Sequence, residues 1–119
     1  MTAKDIEFVT AVPVIPADDT AKAIAFYRDQ LGFTLAFEQG EYAGVTRGPI
    51  ELHLDGASGD VTGSVSCRIH VRDVDGLHTS IDSRGVVDPA EPLETKPWGT
   101  RQFSVRDPSG NRITFVEAP

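Results

Sequence analysis

The sequence predicts an α+β fold made of two β-α-β-β-β modules, about 8–55 and 65–117, within one domain spanning residues 1–119. Three observations carry this prediction. The stretch PWGTRQFSVRDPSGNRITFVE (97–117) reads as a strand, a turn and a strand. The same order of elements occurs on either side of a polar, glycine-containing linker at 57–63. Each half also holds one segment of helical spacing beside segments of strand-like alternation.

The hairpin is the clearest element. Asp107, Pro108 and Gly110 occupy positions that favour Asp, Pro and Gly in a turn, and the flanks carry Phe103, Val105, Ile113, Phe115 and Val116. In the first half, residues 9–15 (VTAVPVI) form an apolar run. Pro13 cannot donate to a ladder, so an edge or kinked strand is expected. Asp18 or Asp19 then caps a helix over about 20–31 whose Ile24, Tyr27 and Leu31 face a sheet, with Gly32 at its end. Strands follow at 33–37, 42–46 and 50–55. In the second half, Val65, Cys67, Ile69 and Val71 share one strand face and Ser66, Arg68, His70 and Arg72 the other. Asp75 is expected to cap a short helix bearing Leu77 and Ile81, closed by Gly85, with His78 on its exposed side. An irregular, proline-containing stretch leads from there to the hairpin.

Composition narrows the function. At 119 residues, 39% apolar and 24% charged, the chain can bury a core without disulfides. The N-terminus MTAKDIEF has no apolar run of the kind that makes a signal peptide or membrane span, and the lone Cys67 reads as a small core residue in a reducing compartment. A cytoplasmic protein is expected. The net charge of −7 opposes nucleic acid, whose phosphates demand a basic surface; it suits a cationic ligand, and equally plain solubility. Ser66 and Ser104 lack an evident histidine-plus-acid arrangement, and no Walker or GxGxxG loop is present.

AVPV (11–14), AIAFYRDQLGF (23–33), YAGVTR (42–47) and PWGTRQFSVRDPSGNRITFV (97–116) follow one another in an order that resembles the vicinal-oxygen-chelate superfamily of glyoxalases, extradiol dioxygenases, fosfomycin enzymes and bleomycin-resistance proteins. AVPV and the PWGTRQFSVRDPSGN segment most resemble the bleomycin-resistance branch. The resemblance implies paired modules whose sheets curl around a concave site, the glyoxalase/bleomycin-resistance fold. It also implies a homodimer that exchanges N-terminal strands, with clefts between the two chains. Metal-dependent members use one side chain from the first and last strand of each module, and the resemblance places Val12, Glu51, Ser66 and Thr114 there. Only Glu51 is a strong divalent-metal ligand, whereas a metal centre needs three or four imidazole, carboxylate or thiolate donors. A displaced cluster of Glu51, His53 and His70 is the alternative, and it would make the chain a lyase- or dioxygenase-like enzyme with a divalent metal.

Without metal or other cofactor, the resemblance implies an antibiotic-binding protein that acts by sequestration. Its cleft would contain Phe37, Tyr42, His53, Asp55, Arg68, His70 and Trp98, rimmed by Glu38, Glu41, Asp55 and Asp60. Aromatic walls stack on flat heteroaromatic groups, and an acidic rim suits a cationic tail. Phe37 and Tyr42 fit core and cleft equally, and Trp98 fits the cleft or a partner subunit. Arg68, His70 and His53 stand where drug-binding relatives present aromatic residues, which counts against bleomycin itself more than against small-molecule binding. A fold member serving an unrelated metabolite is the third reading.

Overall fold

A computed structural model describes residues 5–57 and 64–119. The strands form two four-stranded sheets, one per half of the chain, and each half runs strand, helix and three strands. The first half contains β1 (Val14–Pro16), helix α1 (Thr20–Ala25, continuing as a π-helical turn Phe26–Gln30), β2 (Thr34–Gln39), β3 (Tyr42–Arg47) and β4 (Ile50–Asp55). The second contains β5 (Ser66–His70), α2 (Val74–Asp82), β6 (Glu94–Thr95), β7 (Arg101–Arg106) and β8 (Arg112–Glu117). Sheet orders are β1-β4-β3-β2 and β5-β8-β7-β6. In each, the first strand runs parallel to the last and the others pair antiparallel.

Asp19 is the α1 cap, accepting the Lys22 N–H at 3.1 Å. Ile24, Tyr27 and Leu31 are all buried, as their spacing requires. The last turn widens to a π-helix and stops at Gly32, whose φ of 76° favours glycine. On the sheets, Ala43, Val45, Leu52 and Leu54 face the core in the first module, whereas β7 and β8 are buried on both faces, Phe103, Val105, Ile113 and Phe115 alternating with the buried Gln102, Ser104, Thr114 and Val116. The Phe103 and Phe115 rings pack 5.4 Å apart, and Tyr27 meets Phe33 edge-on at 6.0 Å.

The hairpin turn of the second module is bonded into the first. Tyr27 donates its hydroxyl to Asp107 Oδ2 at 2.7 Å, and the Asn111 amide donates to the same oxygen and to the Pro16 carbonyl, both at 2.8 Å. Ser109 Oγ accepts the Asp18 N–H at 2.9 Å. Tyr27 and Asn111 are wholly buried and Asp107 nearly so.

Several expectations are corrected. The first ladder strand covers only Val14–Pro16, not 9–15. Pro13 contributes its carbonyl to the His53 N–H, but residues 6–9 lie exposed along an arm. Helix α2 is capped by Asp73, not Asp75. The Asp73 carboxylate accepts the Gly76 N–H at 3.1 Å, while Asp75 binds Arg101 at 2.9 Å. His78 is only partly at the surface: its side chain is 22% exposed and its ring meets Phe103 edge-on at 5.1 Å. Part of the stretch read as irregular forms β6, paired through Glu94 and Thr95 to β7. Cys67 packs only partly against the core, and burial pushes its thiol pKa up, away from reactivity.

Burial, and then the Asp107 charge and hydrogen bond, push the Tyr27 phenol far above its ordinary pKa of 10.0. A raised phenol pKa means stability that is complete below about pH 10 and lost as pH rises and the unfolded phenol ionises. Tyr27→Phe should therefore flatten the alkaline limb of a pH–stability curve. At neutral pH and fixed protein concentration it should cost about 1.5–3 kcal/mol in urea unfolding, because Asp107 loses a buried donor. At the other end, the Val74 and Asp73 N–H groups hold the Glu117 carboxyl below its ordinary value of 4.5. Its contribution is present above that value and fades as pH falls through the lowered pKa, so Glu117→Gln should shift acid unfolding to higher pH.

Candidate ligand-binding site

The outward face of the first sheet carries the predicted aromatic wall. The register sets Val14 opposite His53, His53 opposite Gly44, and Gly44 opposite Phe37, all in one row across four strands. The Phe37 ring occupies the space that Gly44 leaves free: a Cβ there would lie 2.2 Å from Phe37 Cε1. Phe37 is stacked on Tyr42 at 6.2 Å and 20°, and His53 meets both rings edge-on, at 5.2 Å from Phe37 and 5.3 Å from Tyr42. Phe37 is 38% exposed, and Tyr42 and His53 are partly buried, so this trio is a wall facing outward and not core. Gly44 is the residue that sequence reasoning missed. Its signal was a glycine inside a strand, which marks close approach by another group.

Polar bonds fix the wall. His53 Nε2 lies 2.6 Å from Glu51 Oε2, and Nδ1 lies 2.7 Å from the Tyr42 hydroxyl. A carboxylate only accepts, so Nε2 donates, and in the neutral ring Nδ1 accepts from Tyr42. Asp55, at the end of the same strand, accepts the Ala57 N–H. Glu38 and Glu41 are exposed on the rim, and Asp60 lies outside the described residues.

The remaining predicted residues sit on the second module. Arg68 and His70 are exposed on β5, where a groove of about 540 Å³ between residues 10–13, β4 and β5 is lined by both, together with Glu51. Trp98 is 66% exposed at the Pro97–Gly99 turn and enters no ring contact with the aromatic wall among the described residues. One chain thus brings Phe37, Tyr42, His53 and Glu51 together, and joins Glu51 to Arg68 and His70 along a groove. It leaves Trp98 apart.

The donor set does not fit a metal. Both imidazole nitrogens of His53 are engaged within the protein, and Thr114 is buried with its hydroxyl 2.8 Å from Ser104 Oγ. Ser66 lies opposite Arg112 while Thr114 lies opposite Arg68. No group of three or more His, Cys, Asp or Glu is assembled among the described residues, so Glu51, His53 and His70 do not form one.

The wall makes a direct prediction. Gly44→Ala must push the Phe37 ring off the sheet, at a cost on the order of 1 kcal/mol. The same substitution in a Phe37→Ala background should be neutral or stabilising in urea unfolding. Equal costs in both backgrounds would show that the ring does not lie over Gly44.

Residues 1–119 match the family described as "Glyoxalase superfamily protein". A bleomycin resistance protein from Geobacillus stearothermophilus is 31% identical over 125 residues, covering 90% of this chain and 95% of that protein. The bleomycin-binding protein of the bleomycin producer Streptomyces verticillus, solved with copper(II)-bleomycin, is 34% identical with a TM-score of 0.76, covering 96% of this chain and 98% of that one. An antibiotic-binding protein from Streptomyces sp. CB03234 is 30% identical over the whole of both chains, with a TM-score of 0.78. Aromatic wall, paired modules and family match agree: this chain belongs to the glyoxalase superfamily, in its bleomycin-resistance branch.

Proposed function

We propose that the protein binds an antibiotic or similar small molecule and acts by sequestration, without turnover and without metal, in clefts shared by two copies of the chain. The observation that carries this reading is the open aromatic wall of Phe37, Tyr42 and His53, held rigid by the Glu51 and Tyr42 bonds to His53. Each ring stacked on a flat ligand contributes about 0.5–1.5 kcal/mol beyond the area it buries. Sequestration needs a total of about −8 kcal/mol for micromolar affinity. Similarity to bleomycin-binding and antibiotic-binding proteins at 30–34% identity supports the ligand class.

Two features support a cleft between chains. The aromatic wall on the first module and Trp98 on the second are separate in one chain, as two halves of a composite site would be. The arm before β1 also leaves Ile6, Phe8 and Val9 at 57%, 96% and 86% exposure. Burying Phe8 and Val9 against a second copy would contribute about 1.5–3 kcal/mol each, and Pro13 is placed to redirect such an exchanged arm.

Titration of chelator-treated protein with metal-free bleomycin, followed by Trp98 emission and by calorimetry, tests the reading. Saturation near one ligand per subunit at micromolar affinity or better is expected; silence by both methods removes bleomycin as ligand. Deleting residues 1–9 should convert a dimer in sedimentation velocity into a monomer and abolish saturable binding. A full-length chain that sediments as a monomer at micromolar concentration would contradict the shared cleft.

A further inference from the structure

The chain is acidic, yet three basic side chains on β5 and the bend after it have no partner among the described residues. Arg28 binds Asp29, Arg101 binds Asp75, Arg106 binds Asp88 and Arg112 binds Glu91, while Arg47 and Arg84 donate to the carbonyls of Leu31 and Gln30. His53 and His78 face Glu51 and Asp82. Lys96 binds Glu94, and Arg68, His70 and Arg72 remain, with Lys22 apart from them on the first helix. Arg68 and His70 occupy alternate positions on one face of β5, roughly 7 Å apart, Arg72 follows in the bend after the strand, and all are exposed.

The carboxylates that could neutralise them are committed elsewhere. Glu51 is bonded to His53, Asp73 caps α2, and Glu117 accepts the Asp73 and Val74 N–H groups. The 540 Å³ groove that holds Arg68 and His70 adjoins one of about 510 Å³ lined by His70, Arg72 and Arg47. The two arginines are unpaired positive charges with a histidine between them, and an oxyanion placed there would be attracted to both. Arginine offers a carboxylate or sulfate two parallel donors, and histidine donates in either protonation state.

We propose that the ligand is a flat aromatic molecule bearing an oxyanion, its ring system taken by the aromatic wall and its carboxylate or sulfate group by Arg68, His70 and Arg72. This rests on the small-molecule-binding reading above and names the class of molecule. A purely cationic ligand is disfavoured by the same three residues.

Calorimetry with three probes of one shape tests the assignment: 2-naphthoate, 2-naphthamide and 2-naphthylmethylammonium. The anion should bind at least tenfold more tightly than the amide, and the gap should shrink from low salt to 0.5 M salt. The Arg68→Gln/Arg72→Gln double variant, altered only at exposed side chains, should close the gap by weakening the anion at least tenfold more than the amide. Equal affinities, a preference for the ammonium, a gap that survives in the double variant, or no binding of naphthoate at millimolar concentration would each overturn it. Failure here is distinguishable from failure of sequestration. Bleomycin binding without an anion preference sinks the oxyanion site alone, and an anion preference without bleomycin binding removes only that drug.

Discussion

A buried carboxylate holds the two modules together. Asp107 receives four hydrogen bonds at 2.7–2.9 Å: from the Tyr27 hydroxyl, the Asn111 amide, and the backbone N–H groups of Ser109 and Asn111. A carboxylate removed from water is costly unless its oxygens are filled, and here donors fill them without any cation. Three of the donors come from the Asp107 turn itself, so most of these bonds are local. The fourth comes from the first helix, and Asn111 adds bonds to the Pro16 carbonyl and from the Val65 N–H. The start of β5, the end of β1, the first helix and the last hairpin thus meet at one point.

That joint determines what the outer faces can do. With Tyr27, Asp107 and Asn111 sealed inside, the first sheet turns Phe37, Tyr42 and His53 outward, and β5 does the same with Arg68 and His70. The aromatic wall needs support of its own, because rings on an open sheet lose entropy when they are ordered. Gly44 supplies a seat for Phe37, and Glu51 locks His53 from the far side. Aromatic surface on one module and positive charge on the other make two chemically different half-sites. In the proposed dimer such halves would face each other.

Much of this was legible in the sequence. The turn chemistry of Asp107–Gly110, the spacing of Ile24, Tyr27 and Leu31, and the strand-like segments at 42–46 and 50–55 are local signals, and the structure follows them. The bounds of β1 were not legible, because nothing in VTAVPVI says which residues lack a ladder partner. Nor was the Asp73 cap, which uses a left-handed residue at φ 63° where Asp75 was the plainer candidate. His78 looked like surface because its partner, Phe103, lies on a strand distant in sequence. In the site, the residue types were readable but their pairings were not. That His53 would have both nitrogens engaged, and that Arg68, His70 and Arg72 would pair with no carboxylate among the described residues, are facts of three-dimensional placement.

Subunit mixing tests the shared cleft most directly. A Phe37→Ala/Tyr42→Ala chain and an Arg68→Gln/Trp98→Ala chain each lose one half of the proposed site. If each cleft joins the first module of one subunit to the second module of the other, unfolding and refolding the two inactive variants together rebuilds intact clefts. Random pairing puts about half the dimers in the mixed form, each with one good cleft, so about a quarter of all sites should again bind bleomycin with the parent affinity. No recovery, from variants that are folded and have exchanged subunits, would place both halves of the site in a single chain.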